Sequence, residues 1–227
     1  MPVAVITGCT RGIGYAIAQR LSHLYTIVGC GSSPESVTHV QSRHPEWDIH
    51  LYDLSQKQNA IRFAEYILAT YPEIQLLVNN AGRFAPGRLY DEADETYEAM
   101  IAINLSSAYY FTKRLLPAFM RQKKGLIVNI ASIASLIAYP NGSSYSIAKA
   151  GLLAFSRNLR EQLKPYHVGV TAIILGATLT SSWEGAPYPP ERFIPPEAVA
   201  DIVWAISQLP PSAVVEELIM RPLLGDL

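Results

Sequence analysis

A chain of 227 residues with 49% apolar and 16% charged side chains can bury a large core and is too apolar for a disordered segment. Its formal net charge of −1 gives no basic surface for nucleic acid or anionic lipid. Two cysteines, Cys9 and Cys30, cannot build a disulfide framework, and five scattered histidines lack zinc-ligand spacing.

No basic n-region precedes the first apolar run, so no signal peptide is expected. The apolar stretch 126–140 is broken by Asn129, Ser132 and Ser135 and falls short of a membrane span. A cytoplasmic location is the default expectation.

Val3–Thr7 reads as an apolar strand running into Gly8-Cys9-Thr10-Arg11-Gly12-Ile13-Gly14. Ile13, Ala16, Ile17 and Leu21 then form the stripe of a helix over 12–23. Strands are predicted at Tyr25–Cys30 and Ile49–Tyr52, and Ser55 as the cap of a helix running to about Tyr71, where Pro72 stops it. Leu76–Asn80 is the fourth strand. A long helix follows over Glu95–Gln122, bent near Pro117, and its basic end at 121–124 suits a helix C-terminus. Leu126–Ala131 is a strand, Ser144–Lys164 a helix, Val168–Leu175 a strand, Pro196 a helix start and Val214–Met220 the seventh strand. Such alternation predicts a doubly wound α/β domain of Rossmann type over 1–227, its seven-stranded, mostly parallel sheet covered by helices on both faces. The irregular stretch 177–195, with Pro187, Pro189, Pro190 and Pro195, reads as a lid carrying Trp183, Tyr188 and Phe193 over an apolar pocket, or as a stiffened crossover.

The glycines after the first strand permit a sharp turn and close approach to a diphosphate, and the helix start beyond them offers free N–H groups to an anion. Tyr145 and Lys149 are four residues apart and share one helix face. A phenol working near neutral pH needs its pKa lowered by about 3 units, roughly 4 kcal/mol. An ammonium about 4 Å away supplies on the order of 4 kcal/mol at an effective dielectric of 20. Ser132 lies thirteen residues before Tyr145, just past a strand end, where open α/β sheets bind ligands. Asn104 sits among Ile101, Ile103 and Leu105, an awkward place for asparagine that points to a functional or network role.

Thr7–Gly14 (TGCTRGIG), Asp53-Leu54, Asn79-Asn80-Ala81-Gly82, Asn104, Ser132 and Tyr145 with Lys149 together resemble the short-chain dehydrogenase/reductase family, in its compact single-domain branch, over nearly the whole chain. The resemblance implies hydride transfer between a nicotinamide cofactor and a carbonyl or alcohol. Tyr145 would be the general acid and base, with its pKa lowered by Lys149, which would also hold the nicotinamide ribose. Ser132 would hold the substrate oxygen, and Asn104 would support a water relaying protons to Lys149. Gly8, Thr10, Arg11, Gly12, Ile13 and Gly14 would form the phosphate loop. Asp53 and Leu54 would border the adenine, Asn80 and Ala81 with Gly82 the adenosine ribose, and Thr178 and Thr180 the carboxamide. Asp53 also fits a plain turn before Ser55, and Asn79 and Asn80 fit the end of a buried strand.

No carboxylate stands at the end of the second strand (Gly29–Ser33), where NAD enzymes place one for the ribose 2′-hydroxyl. Arg11 with Ser32 and Ser33 could instead receive a 2′-phosphate, so NADP(H) is expected and NAD(H) is the alternative. Leu175-Gly176 departs from the family's Pro-Gly after strand six, which puts the roles of Thr178 and Thr180 in question. Tyr139 and Asn141 are expected to border the substrate pocket. The expected partner is a small carbonyl or alcohol, with neither nucleic acid nor membrane, and the resemblance implies a homodimer or homotetramer. A 3-oxoacyl-carrier-protein-type reductase and a non-catalytic nucleotide-binding redox sensor are the competing readings.

Overall fold

The structure, a computed structural model, describes residues 1–226. Seven strands form one sheet: β1 (Val3–Thr7), β2 (Thr26–Gly31), β3 (Asp48–Leu51), β4 (Leu76–Asn79), β5 (Leu126–Ser132), β6 (Gly169–Leu175) and β7 (Glu217–Met220). Their order is β3-β2-β1-β4-β5-β6-β7 and every neighbouring pair is parallel. The chain winds outward in one direction from β1 and in the other from β4. The crevice at the carboxyl ends of the strands therefore opens where the order reverses.

Alternation along β1 divides the core in two. Ala4 and Ile6 face α1 (Gly12–Leu21), α2 (Pro34–Arg43) and, at the rear, α7 (Pro196–Ser207), through Ile17, Leu21, Val40, Val199 and Val203. Val3 and Val5 face α3 (Lys57–Thr70), α5 (Ser107–Gln122) and α6 (Ser143–Leu163), where Phe63 stacks on Phe111 with ring centroids 5.2 Å apart. Strands buried on both faces are the expected consequence of parallel crossovers.

Several elements differ from the sequence reading. The helix α2 was not expected, because only Val37 and Val40 of its ten residues are buried. Its start is nevertheless written locally: the Ser33 Oγ accepts from Ser36 N at 3.3 Å and Pro34 occupies the first helical turn. Ser55 does not cap α3; its N–H donates to Asp53 Oδ1 at 3.0 Å, and the helix begins after Gln56 with no side-chain cap. The long helix is interrupted well before Pro117. The helix α4 (Asp94–Ile101) passes into a π-helical segment, Ala102–Ser106, and only then into α5. Pro117 lies inside α5 on its exposed side, as does Lys113, whose carbonyl the proline cannot serve, so water can satisfy the lost bond. Strand β5 continues through Ser132, strand β7 begins only at Glu217, and Lys164 falls in a short 3₁₀ turn after α6.

Candidate active site

The turn after β1 is built by glycine conformation and held by side chains. Gly8 (φ +65) and Gly12 (φ +53) lie in the left-handed region. A Cβ on Gly8 would come within 3.0 Å of Ala81 Cα, so the turn sits directly against the segment after β4. Thr7 Oγ1 accepts from Asn80 N and from Ala81 N, both at 3.0 Å, and Asn80 Nδ2 donates to Thr7 O and Gly8 O at 2.9 and 3.0 Å. The side chain of Asn80 is thus committed to the turn. Arg11 precedes α1 with extended backbone and makes no side-chain cap, which leaves the first N–H groups of the helix to face the crevice. Ser36 Oγ reaches Thr10 Oγ1 at 3.0 Å, and Gly31 has no Cβ that would otherwise press within 2.6 Å of that threonine.

A cavity of about 990 Å³ runs along the crevice. It is lined by every residue expected in the site except Gly14 and Ser33. Gly14 acts from behind: a Cβ there would lie 2.3 Å from Gly8 O and 2.4 Å from Asn80 Nδ2, so its role is close packing of helix against turn. Ser33 is spent as the α2 cap, and its hydroxyl donates to Glu35 Oε2 at 2.6 Å. Leu54 is buried at one end of the cavity beside half-buried Asp53, and Ser32 is exposed at its rim.

At the other end Ser132 closes β5. Its Oγ accepts from Ala134 N at 3.2 Å, while Ser135 Oγ accepts from Ser132 N at 3.4 Å and donates to Lys149 O at 2.9 Å. The 3₁₀ turn Ile133–Ser135 thereby fastens the serine to α6. Lys149 is 5% exposed, and its Nζ donates to Ile130 O at 2.9 Å. Burial lowers its pKa to about 8. Tyr145, one turn earlier and half-buried, has its ring centroid 5.8 Å from that nitrogen.

At Tyr145 burial sets the direction of the shift. Burial raises the phenol above its usual value; the Ser132 hydroxyl works in the opposite direction and Tyr139 adds slightly to the rise. Phe84 meets Tyr145 edge-on with ring centroids 5.2 Å apart, and packs in turn against Tyr139 at 5.8 Å. In the protein alone, desolvation outweighs the Ser132 hydrogen bond, and Tyr145 holds its proton.

Asn104 is 1% exposed in the π-helical segment. Its Oδ1 accepts from Arg83 N at 3.2 Å, and its Nδ2 donates to Arg83 O at 2.9 Å and Met100 O at 3.2 Å. Both its donors are used, so the side chain ties down the segment after β4. Asn79 likewise serves a buried network, donating to Thr112 Oγ1 and Asn129 Oδ1, both at 2.8 Å.

On the rear wall Thr178 is buried and donates to Gly176 O at 3.1 Å, and Thr180 Oγ1 accepts from Ser182 N at 3.4 Å. Of the expected lid aromatics only Trp183 faces the cavity. Phe193 is buried behind it with ring centroids 5.1 Å apart, and Tyr188 lies outside, substantially exposed. Tyr139 and Asn141 border the cavity as expected, and Leu175 joins them. Phe84 and Asp226 also line it and were not singled out from the sequence, and Arg83 lines it beside them. Their approach depends on loops whose course no local pattern announces. Among the described residues no cluster of His, Cys, Asp and Glu could hold a metal, and no helix is long and apolar enough to cross a membrane.

Comparison with known proteins agrees with this architecture. The family model described as short chain dehydrogenase matches residues 2–187, and the chain belongs to that family of oxidoreductases. A Staphylococcus epidermidis protein described as an uncharacterized oxidoreductase is 28% identical over 223 residues, covering 97% of this chain and 96% of that protein. A metagenomic short-chain oxidoreductase solved in complex with NADP superposes with a TM-score of 0.85 at 29% identity, over 99% of this chain and 98% of the other. An alcohol dehydrogenase from the archaeon Thermococcus sibiricus, complexed with 5-hydroxy-NADP, gives 0.89 at 27% identity over 100% and 99% of the two chains.

Proposed function

We propose that this protein is a nicotinamide-dependent reductase of small carbonyl compounds, able to run in reverse on the corresponding alcohols, with NADP(H) preferred over NAD(H). The observation that carries this reading is the convergence of Ser132, Tyr145 and Lys149 at one end of a cavity whose other end is an uncapped helix start behind two left-handed glycines. The cradle fits a dinucleotide, since a Cβ on Gly8 would fill the space against Ala81 and the α1 N–H groups are free for a diphosphate. Gly8, Thr10, Arg11, Gly12 and Ile13 would hold the phosphates, with Arg11 and Ser32 at a 2′-phosphate and Asp53, Leu54, Ala81 and Gly82 around the adenosine. Thr178 and Thr180 would hold the carboxamide. When bound, the nicotinamide supplies the hydride that the carbonyl carbon accepts.

Tyr145 gives the substrate oxygen its proton, and Ser132 Oγ holds that oxygen while negative charge develops on it. The phenol's raised pKa keeps it protonated at neutral pH, the form an acid in reduction requires. Lys149 stabilises the phenolate left behind, and it loses this ability as pH rises past its own lowered pKa of about 8. Asn104 acts as a positioning residue through Arg83. The relatives solved with NADP and with 5-hydroxy-NADP support the cofactor assignment.

The test is loss of NADPH or NADH absorbance with a panel of ketones, aldehydes, diketones and 3-oxoacyl thioesters. We expect turnover of simple carbonyls with NADPH, falling above about pH 8, and a loss of about 10²- to 10⁴-fold in Tyr145→Phe. NADPH binding without turnover of any carbonyl would replace this reading with that of a redox sensor, and turnover of the thioesters alone with that of a carrier-protein reductase.

A further inference from the structure

The catalytic end of the cavity is walled by aromatic rings, and one of them is held in place by a strap of its own. Phe84, Tyr139 and Trp183 all line the cavity with Ser132 and Tyr145. Phe84 stands edge-on to Tyr145 at an interplanar angle of 89° and inclined at 62° to Tyr139. Its segment is pinned to the start of α6 by backbone bonds, from Gly87 N to Asn141 O at 3.2 Å and from Ser143 N to Gly87 O at 3.1 Å. Ser144, next to the tyrosine, donates to Glu92 Oε1. Gly142 leaves room for the ring, since a Cβ there would lie 2.7 Å from Phe84 Cε2.

Lys149 is buried beside Tyr145, and Arg83, Glu95 and Glu98, which also line the cavity, are exposed. Asp226 lines the cavity, but both its carboxylate oxygens are shut off from solvent, and Arg221 Nη2 lies 2.6 Å from one of them. The carboxylate is no handle for a polar substrate. Leu175, buried at the same end, adds apolar surface. The rings of Phe84, Tyr139 and Trp183 and the side chain of Leu175 therefore offer a flat apolar surface beside Ser132 and Tyr145.

Resting on the carbonyl-reductase reading, we propose that the substrate carries an aromatic ring next to its carbonyl, and that Phe84 is the residue that selects it. A ring fixed before binding loses little freedom when a second ring packs on it, so the gain from an aromatic pair appears in affinity. Trp183, backed by buried Phe193, supplies a further aromatic surface across the cavity.

The experiment reads binding rather than turnover. Benzyl alcohol and cyclohexylmethanol, similar in size and differing in aromaticity, are titrated calorimetrically into the protein alone and into NADPH-loaded protein, where an alcohol has no oxidised cofactor to accept its hydride. We expect benzyl alcohol to bind about fivefold more tightly. In Phe84→Leu the ratio should fall below about twofold. Gly142→Ala, which displaces the ring without removing it, should lower the ratio as well. Equal affinities in the wild type, or a ratio unchanged in Phe84→Leu, overturn the proposal. Because each comparison is a ratio within one variant, partial unfolding does not imitate either result. Ring-selective binding without carbonyl turnover would sink the reductase reading and leave the aromatic subsite standing.

Discussion

Lys149 shows how burial and the proposed role pull one side chain in opposite directions. Among the described residues its ammonium has one hydrogen-bond partner, Ile130 O at 2.9 Å, and its pKa falls from 10.5 to about 8 because the surroundings disfavour the charge. In the unfolded chain the same group keeps an ordinary lysine value. Between about pH 8 and 10.5 the unfolded state binds more protons, so this group makes stability rise with pH across that window, and below it the full penalty applies. That penalty is on the order of 3 kcal/mol. Lys149→Met removes it and strands the Ile130 carbonyl, at a cost of about 1 kcal/mol. The variant should therefore melt higher than the wild type at pH 7, by roughly 4–8 °C, while losing carbonyl reduction. A lower Tm in a scanning calorimeter would show that the buried charge is better compensated than its single bond suggests. The pairing of Tyr145 with Lys149 was legible in the sequence because four residues is one helical turn. The direction of the tyrosine's shift was not legible, since Phe84 reaches it from the segment after β4 and Tyr139 packs on Phe84.

The π-helical segment between α4 and α5 has a comparable logic one level up. Widening the helix at Ala102–Ser106 places Asn104 where it can bond both backbone groups of Arg83, and so fix the loop that carries Gly82 and Phe84. Gly82 is part of this fit: a Cβ there would lie 2.7 Å from Asn104 Oδ1. Asn104→Ala strands the Arg83 N–H and C=O, at about 1–3 kcal/mol for each group that water does not reach. We expect a lower Tm together with a raised KM for NADPH, because in the proposed binding mode the loose loop also borders the adenosine. A fall in Tm with unaltered KM would mean that the segment only braces the fold. From sequence, an asparagine amid isoleucines signalled that something other than packing was at work there. It could not signal the π-helix, which needs the distant Arg83 as partner. Conversely, Pro117 looked like the natural break and is not one, because its exposed position lets water replace the lost bond. The helix α2 escaped a reading based on apolar stripes although Ser33 and Pro34 announce its start; with two buried residues it has almost no stripe.

Across the whole molecule the alternation of strand and helix was enough to give a parallel sheet, since crossovers of that length allow little else. Which loops meet at its carboxyl edge follows from the strand order. The cavity draws on the turns after β1, β2, β3, β4, β5 and β6, so a ligand spanning it would cross-link nearly every layer of the fold. Binding of this kind should appear as stability. A cofactor at a hundred times its Kd adds about 2.7 kcal/mol to the folded state. For a chain of this size that corresponds to a rise in Tm of roughly 5–11 °C. If Arg11 receives a 2′-phosphate, Arg11→Ala should weaken NADPH about tenfold and shrink its shift by about 1.4 kcal/mol. The shift produced by NADH, which lacks that phosphate, should stay as in the wild type. Thermal melts of both proteins with each cofactor make the comparison directly. Equal losses for NADPH and NADH would move Arg11 from the 2′-phosphate to the diphosphate common to both cofactors, and the preference for NADP(H) would lose its one cationic determinant in the glycine turn.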